Sequence, residues 1–237
     1  MSLEDFNTSE TQNQTQSEDS KAKERVCPSC GNSYKLIGNH WGNTCSYPDI
    51  TEHQYDIING SILGDGSLRQ SGAMSYPQLT IGMRNKKYLE YIESIFQPLT
   101  AGVNRNVNCF QIATTPHPGL NSLKWNPRPK SSIPEDFRIN STVMKHWFVQ
   151  DGGLDWANEE ASVQLCSMTF DLTKIKSILD SVGIMSTVLT NRVRVSQYHT
   201  EKFFRFIGEP LKGFDYKWEY KSRSKYNMLK NEVSCKW

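Results

Sequence analysis

The stretch TEHQYDIINGSILGDG, residues 51–66, decides how the rest of the chain is read. Thr51 followed by Gln54 has the form of a capping box, in which two side chains satisfy each other's backbone N–H at a helix start. Tyr55, Ile58 and Ile62 then recur at helical spacing and can face a core. Gly60, Ser61 and Gly64 run against a helix, since a glycine costs roughly 1 kcal/mol relative to alanine in a helix interior. Gly60 and Gly64 share one face, and a face without side chains lets a second backbone come close. Asp65 stands at the C-terminal end, where the helix dipole disfavours a carboxylate and a bound cation would reverse the penalty. Gly66 is expected to take the left-handed cap position. Taken alone, the pattern also fits a plain helix ending in a Gly-Asp-Gly turn.

The 237 residues allow one sizeable domain or two small ones, and 37% hydrophobic with 11% aromatic content is enough for a packed core. No apolar run approaches the roughly 18 residues of a membrane span. The first residues, MSLEDFNTSETQNQ, have neither an apolar core nor a cleavage-like site, so an intracellular protein without a signal peptide is expected. The net charge of +2 is unevenly spread. Residues 1–24 hold six acidic and two basic side chains and are rich in Ser, Thr, Gln and Asn, which predicts a disordered tail. Residues 202–237 hold nine Lys/Arg against four Asp/Glu. That excess suits a polyanion, although a solvated charged face reads the same way.

Residues 25–48 read as a small zinc module, with Cys27, Cys30, His40 and Cys45 in the spacing C-x2-C-x9-H-x4-C. Structural zinc takes four Cys and His ligands in a tetrahedron, and a segment this short needs metal to supply its folding energy. Gly31 opens the turn after the first cysteine pair, and His53 is a substitute ligand. The competing reading is an incidental or redox pair. Cys109, Cys166 and Cys235 are scattered and are expected to be buried, inert thiols.

Further along, Tyr76–Arg84 alternates Leu79, Ile81 and Met83 with Gln78, Thr80 and Arg84, which predicts a strand. Residues 86–98 have helical period and end at Pro98, and residues 103–114 read as further strand. Residues 116–134 read as loop, with five prolines and the basic pair Arg128 and Lys130. Residues 141–152, STVMKHWFVQDG, then repeat the opening outline and end in Asp151 and Gly152, with bulky His146 and Gln150 where the first copy has Gly60 and Gly64. Strand, helix, strand pair and helix follow at 161–170, 172–182, 187–197 and 200–208. The order runs twice, with the two aspartates 86 residues apart, and fits two half-domains related by an approximate two-fold axis.

The residues Ile58-Asn-Gly-Ser-Ile-Leu-Gly-Asp-Gly66 and Met144-Lys-His-Trp-Phe-Val-Gln-Asp-Gly152 resemble the two motifs of a single-chain LAGLIDADG homing endonuclease. The likeness covers residues 51–220. It implies an α+β fold of two pseudo-symmetric αββαββα half-domains with saddle-shaped antiparallel sheets, at 49–140 and 141–237, to which the zinc module at 25–48 is an addition. It further implies a monomeric, divalent-metal-dependent nuclease that makes a staggered cut in a long double-stranded DNA site. Asp65 and Asp151 would be the Mg²⁺ ligands, a role that hard carboxylate oxygens suit. Lys124-Trp125 followed by KSSIP at 130–134, and Tyr216-Lys217-Trp218, are similar to family segments that carry the basic residues of the site, here Lys130 and Lys217. Gln150 departs from an often acidic position, and Lys145 stands where a small residue is common. Gln78, Thr80, Arg84, Arg192 and Arg194 are the expected DNA-reading side chains, by the usual pairings of arginine with guanine and glutamine with adenine. The alternative is a non-cleaving nucleic-acid binder, such as an intron RNA maturase or a regulator. The zinc module would either extend the DNA footprint or prop the first motif helix.

Overall fold

The structure, a computed structural model, describes residues 23–72, 75–125, 132–166 and 170–234. Lys130, Arg128 and nearly all of the tail expected to be disordered lie outside the described residues.

Thr51 caps α2 (Glu52–Leu63) as its sequence requires. Its hydroxyl accepts from Gln54 N at 3.2 Å, and Gln54 Oε1 accepts from Thr51 N at 2.9 Å. The helix buries Ile57, Ile58, Ile62 and Leu63, while Tyr55 is half-buried and donates its hydroxyl to Gly119 O at 3.1 Å. Gly64 is the C-cap, and the chain passes straight into β3 (Gly66–Arg69). Gly66 is therefore not a left-handed cap. It must be glycine for a different reason: a Cβ there would lie 2.7 Å from Ser61 O.

The first half continues with β4 (Gln78–Met83), α3 (Lys86–Phe96), β5 (Thr100–Asn106) and β6 (Cys109–Thr114), which form an antiparallel sheet in the order β3-β4-β6-β5. The second half runs α4 (Ser141–Asp151), β7 (Gly152–Ala157), β8 (Glu160–Cys166), α5 (Leu172–Ser181), β9 (Ser186–Val188), β10 (Arg192–Val195) and α6 (Thr200–Ile207), with sheet order β7-β8-β10-β9. The two orders are the same topology. They differ in the closing helix, which in the first half is a 3₁₀ turn at Pro118–Leu123. Proline at its start, then glycine and asparagine, are poor α-helix formers. The segment 103–114 is a hairpin of two strands, and β3 and β7 are strands where the sequence pattern shows none, because GSLR and GGLDWA lack alternation. A basic helix α7 (Arg223–Ser234) follows the second half.

Within each sheet, one face packs on the helices through Leu68, Leu79, Ile81 and Ile112 in the first half and Val163, Leu165, Val193 and Val195 in the second. One hydrophobic core runs through both halves and reaches Cys27, Ile37 and Trp41 of the N-terminal module. That module consists of a two-stranded ribbon, β1 (Arg25–Val26) and β2 (Ser33–Tyr34), followed by α1 (Ile37–Asn43). Among the described residues, no helix is long and apolar enough to cross a membrane.

Candidate active site

Helices α2 and α4 meet along the glycine face. A Cβ on Gly60 would strike Val143 O and come within 2.8 Å of His146 Cβ, and one on Gly64 would lie 2.6 Å from Gln150 Cβ. The large residues of the second motif thus fill the space left by the small residues of the first. Their carboxyl ends lie together, with Asp65 just beyond α2 and Asp151 the last residue of α4.

Gln150 ties the two ends. Its Oε1 accepts from Asp65 N at 2.9 Å, and its Nε2 donates to Ser61 Oγ at 2.9 Å and to Tyr88 OH at 2.8 Å. Both amide hydrogens are then used, so Tyr88 receives one and must give its own to His146 Nδ1, 2.7 Å away. That requires a neutral His146 with its proton on Nε2. Burial, with smaller contributions from His53 and Lys145, holds His146 down at about 3, so it is neutral at any physiological pH. Burial also raises the Tyr88 phenol. An uncharged, directed chain of hydrogen bonds therefore fixes the backbone at Asp65 from the opposite motif.

Lys217 completes the cluster from a 3₁₀ turn (Asp215–Trp218). It is 7% exposed, and its Nζ donates to Phe148 O at 3.1 Å, Val149 O at 2.8 Å and Gly152 O at 2.6 Å. These are carbonyls at the C-terminal end of α4, where a cation also suits the helix dipole. All three ammonium hydrogens are engaged, so the side chain holds the turn that carries Asp151. Burial brings its pKa down to about 8, opposed by the nearby carboxylates of Asp65 and Asp151. The fields of both aspartates thus reach one buried cation.

Two glycine-packed helices, each closed by an aspartate and followed by a strand of its own sheet, agree with a family comparison. The LAGLIDADG DNA endonuclease family matches over residues 55–205. The chain belongs to that family. Among curated relatives, an uncharacterized protein of Methanocaldococcus jannaschii is 23% identical over 177 residues, covering 67% of this chain and 65% of its own. The chain thus spans just under two thirds of that protein's length. The DNA endonuclease I-ChuI of Chlamydomonas applanata is 22% identical over 176 residues, covering 60% of this chain and 78% of its own. Among solved structures, the homing endonuclease I-WcaI bound to its DNA recognition sequence aligns with TM-score 0.66 and 18% identity over 78% of this chain and 92% of that one.

In this LAGLIDADG chain the sheet faces turned away from the helices are polar. Gln78 is half-buried on β4, and exposed Arg84 lines an open cleft of about 550 Å³ with Arg105, Asn106 and Asn108. Thr80 is 4% exposed, and its Oγ1 has no hydrogen-bond partner among the described residues. Arg194 pairs with Asp155 at 3.0 Å, and Arg192 donates to Gln164 Oε1 at 2.6 Å. Lys145 turns from α2, its Nζ approaching Gly208. Trp125, ahead of the second motif, is buried and donates to Asn59 Oδ1 at 2.8 Å, which fastens that loop to the first motif helix.

Cys27, Cys30, His40 and Cys45 form the second cluster, with their ligand atoms all within 4.8 Å of one another. Cys30 Sγ and His40 Nε2 are 3.4 Å apart, and Gly31 has φ +75, so the glycine does open the knuckle. His53 is not in the group. Burial raises the Cys27 thiol, but hydrogen bonds from Cys30, Trp41, Ser29 and His40 outweigh it and bring it to about 6. Burial together with Cys30 and Cys27 pushes Cys45 up to about 11. Sulfurs this close need a shared cation to ionise together. Cys109 and Cys166 are half-buried rather than buried, since both fall on the polar faces of their sheets.

Proposed function

We propose that the chain is a site-specific endonuclease that makes a staggered cut in double-stranded DNA. The observation that carries the reading is the pairing of Asp65 and Asp151 at the joined carboxyl ends of α2 and α4, beside the buried Lys217. The family, the fold shared with I-WcaI and the kinship with I-ChuI support it. Asp65 and Asp151 are the ligands that would hold divalent cations, and hard carboxylate oxygens favour Mg²⁺. Such an ion supplies an activated water and neutralises charge on the scissile phosphate. The chain's own part is placement: Gln150 holds the backbone of Asp65, and Lys217 holds the turn of Asp151 while adding positive charge. Lys130 is the second basic residue of this reading.

The polar sheet faces are the DNA surface. Gln78, Arg84, Arg192 and Arg194 read base edges or phosphates, the last two after exchanging Gln164 and Asp155 for DNA, whereas the hydroxyl of Thr80 is buried beneath that surface. Both half-sites come from one chain, so a monomer suffices, with halves at 49–140 and 141–237. Cys27, Cys30, His40 and Cys45 hold structural zinc in a module at 25–48.

The test is cleavage of a randomised-site plasmid library with Mg²⁺. Cutting at one long site, lost in Asp65→Asn with Asp151→Asn while binding persists, is the expected result. DNA binding with no cutting by the wild type would overturn the nuclease reading and leave a binder of DNA or of intron RNA.

A further inference from the structure

The Cys/His module has no part in the chemistry above, yet it is placed with care. Arg25 Nη1 donates to Thr115 Oγ1 at 2.6 Å and to Pro98 O at 3.5 Å. Gly38 sits so close to Thr115 that a Cβ would come within 2.7 Å of its methyl group. Tyr47, near the end of the module, meets His117 edge-on at 5.1 Å and Tyr76 at 5.8 Å. Tyr76 and Pro77 precede β4, and Thr115 to His117 follow β6. The module therefore stands at the end of the first sheet opposite Gly66 and Asp65.

It does more than close that end. A cleft of about 320 Å³ is lined on one side by Leu36, Gly38 and Asn39 and on the other by Gln78, Asn104 and Ala113. Those last three lie on the polar face of the sheet, so that face continues onto the module. Lys35 and Asn39 are exposed there, and Leu36 is 69% exposed. Residues 25–48 contain Arg25 and Lys35 and neither Asp nor Glu.

We infer that the module is an outward extension of the DNA-binding surface, carrying the duplex past the end of the first sheet. Lys35 faces phosphate, and Asn39 offers an amide to phosphate or base edge beside Gln78. Leu36 supplies an apolar contact, and Arg25 is the strut that holds the module in place. The inference rests on the DNA reading of the polar sheet faces. Its consequence is a footprint longer on the side of the first half than on the side of the second.

The experiment uses the duplex recovered from the cleavage selection, together with a version shortened on the first-half side. Wild type and Lys35→Glu/Asn39→Ala are compared by hydroxyl-radical footprinting and by titration at two salt concentrations. Both substitutions are at exposed positions, and zinc content with circular dichroism verifies folding. The expected result is a footprint that recedes only at the first-half end and affinity about tenfold weaker on the full duplex, since charge reversal at a phosphate contact weakens binding and flattens its salt dependence. On the shortened duplex the two proteins should bind alike. Equal footprints and equal affinity on the full duplex would overturn the inference and leave the module a prop, with the DNA reading intact. Failure of the wild type to bind any duplex would overturn both.

Discussion

Lys217 shows how little a single residue's role can be read from its neighbours in sequence. Tyr216-Lys217-Trp218 marked it as part of the site, but the carbonyls it holds belong to residues 148–152. Lys217→Met strands those acceptors in a buried place, which should cost roughly 2–4 kcal/mol in urea unfolding. Its titration has a definite sign. Burial holds its pKa at about 8 in the folded chain against 10.5 in a free lysine, so the unfolded chain binds more protons between those values. The stability that depends on this group is present above the unfolded value and lost as pH falls through the folded one. The advantage of wild type over Lys217→Met should therefore widen from pH 8 towards 10. Parallel stability curves across that range would show that the lysine keeps an ordinary pKa. The placement of Asp65 and Asp151 at helix ends, by contrast, is legible in the sequence, because each follows a helical period and precedes a glycine.

Between elements, the contact of α2 with α4 is asymmetric although the motifs are repeats. Gly60 and Gly64 face His146 and Gln150, so the pseudo-two-fold axis is filled by small against large. Gly60→Ala should push the helices apart and destabilise by about 1–3 kcal/mol, as overpacking does. Gly72→Ala, where nothing lies within 4 Å, is the matched control and should leave the thermal midpoint unchanged. Gln150→Leu removes partners from Asp65 N, Ser61 and Tyr88 together. A loss of about 1–3 kcal/mol is expected from the groups left unsatisfied. Cleavage should fall further than stability explains, because the backbone under Asp65 is no longer held. Unchanged single-turnover cutting in Gln150→Leu would mean that Asp65 is positioned by its own helix alone. The sequence pattern recognised both motifs as helices and noted the size difference. It had no means of pairing position 60 with 146 or 64 with 150.

For the whole molecule, the expectation is that metal holds the N-terminal module together while the two halves fold through their shared core. Metal analysis should find about one zinc per chain, as a closed four-ligand site requires. Chelation should lower the thermal midpoint of the free protein, and Cys27→Ser with Cys30→Ser should remove both the zinc and the response to chelator. Stoichiometric zinc in that double variant would refute the ligand set. The repeat order was legible from periodicity and the module from cysteine spacing, while the antiparallel sheets followed from the likeness to the LAGLIDADG family. The strands β3 and β7 were not, because each begins directly after an aspartate-glycine helix end and has no polar–apolar alternation of its own.

What the sequence determined by itself was local and periodic: the capping box at Thr51, the two Asp-Gly helix ends, the Cys27–Cys45 spacing and the repeat that joins them. Short-range hydrogen bonding, ligand spacing and hydrophobic period carry that information. The tertiary structure alone decided which residues meet. Gln150 reaches Asp65, Lys217 reaches the end of α4, Arg194 rests on Asp155, and the module abuts the polar face at Gln78. Each is a contact between residues far apart along the chain, set by how the helices and sheets pack, and no spacing rule along the chain encodes it.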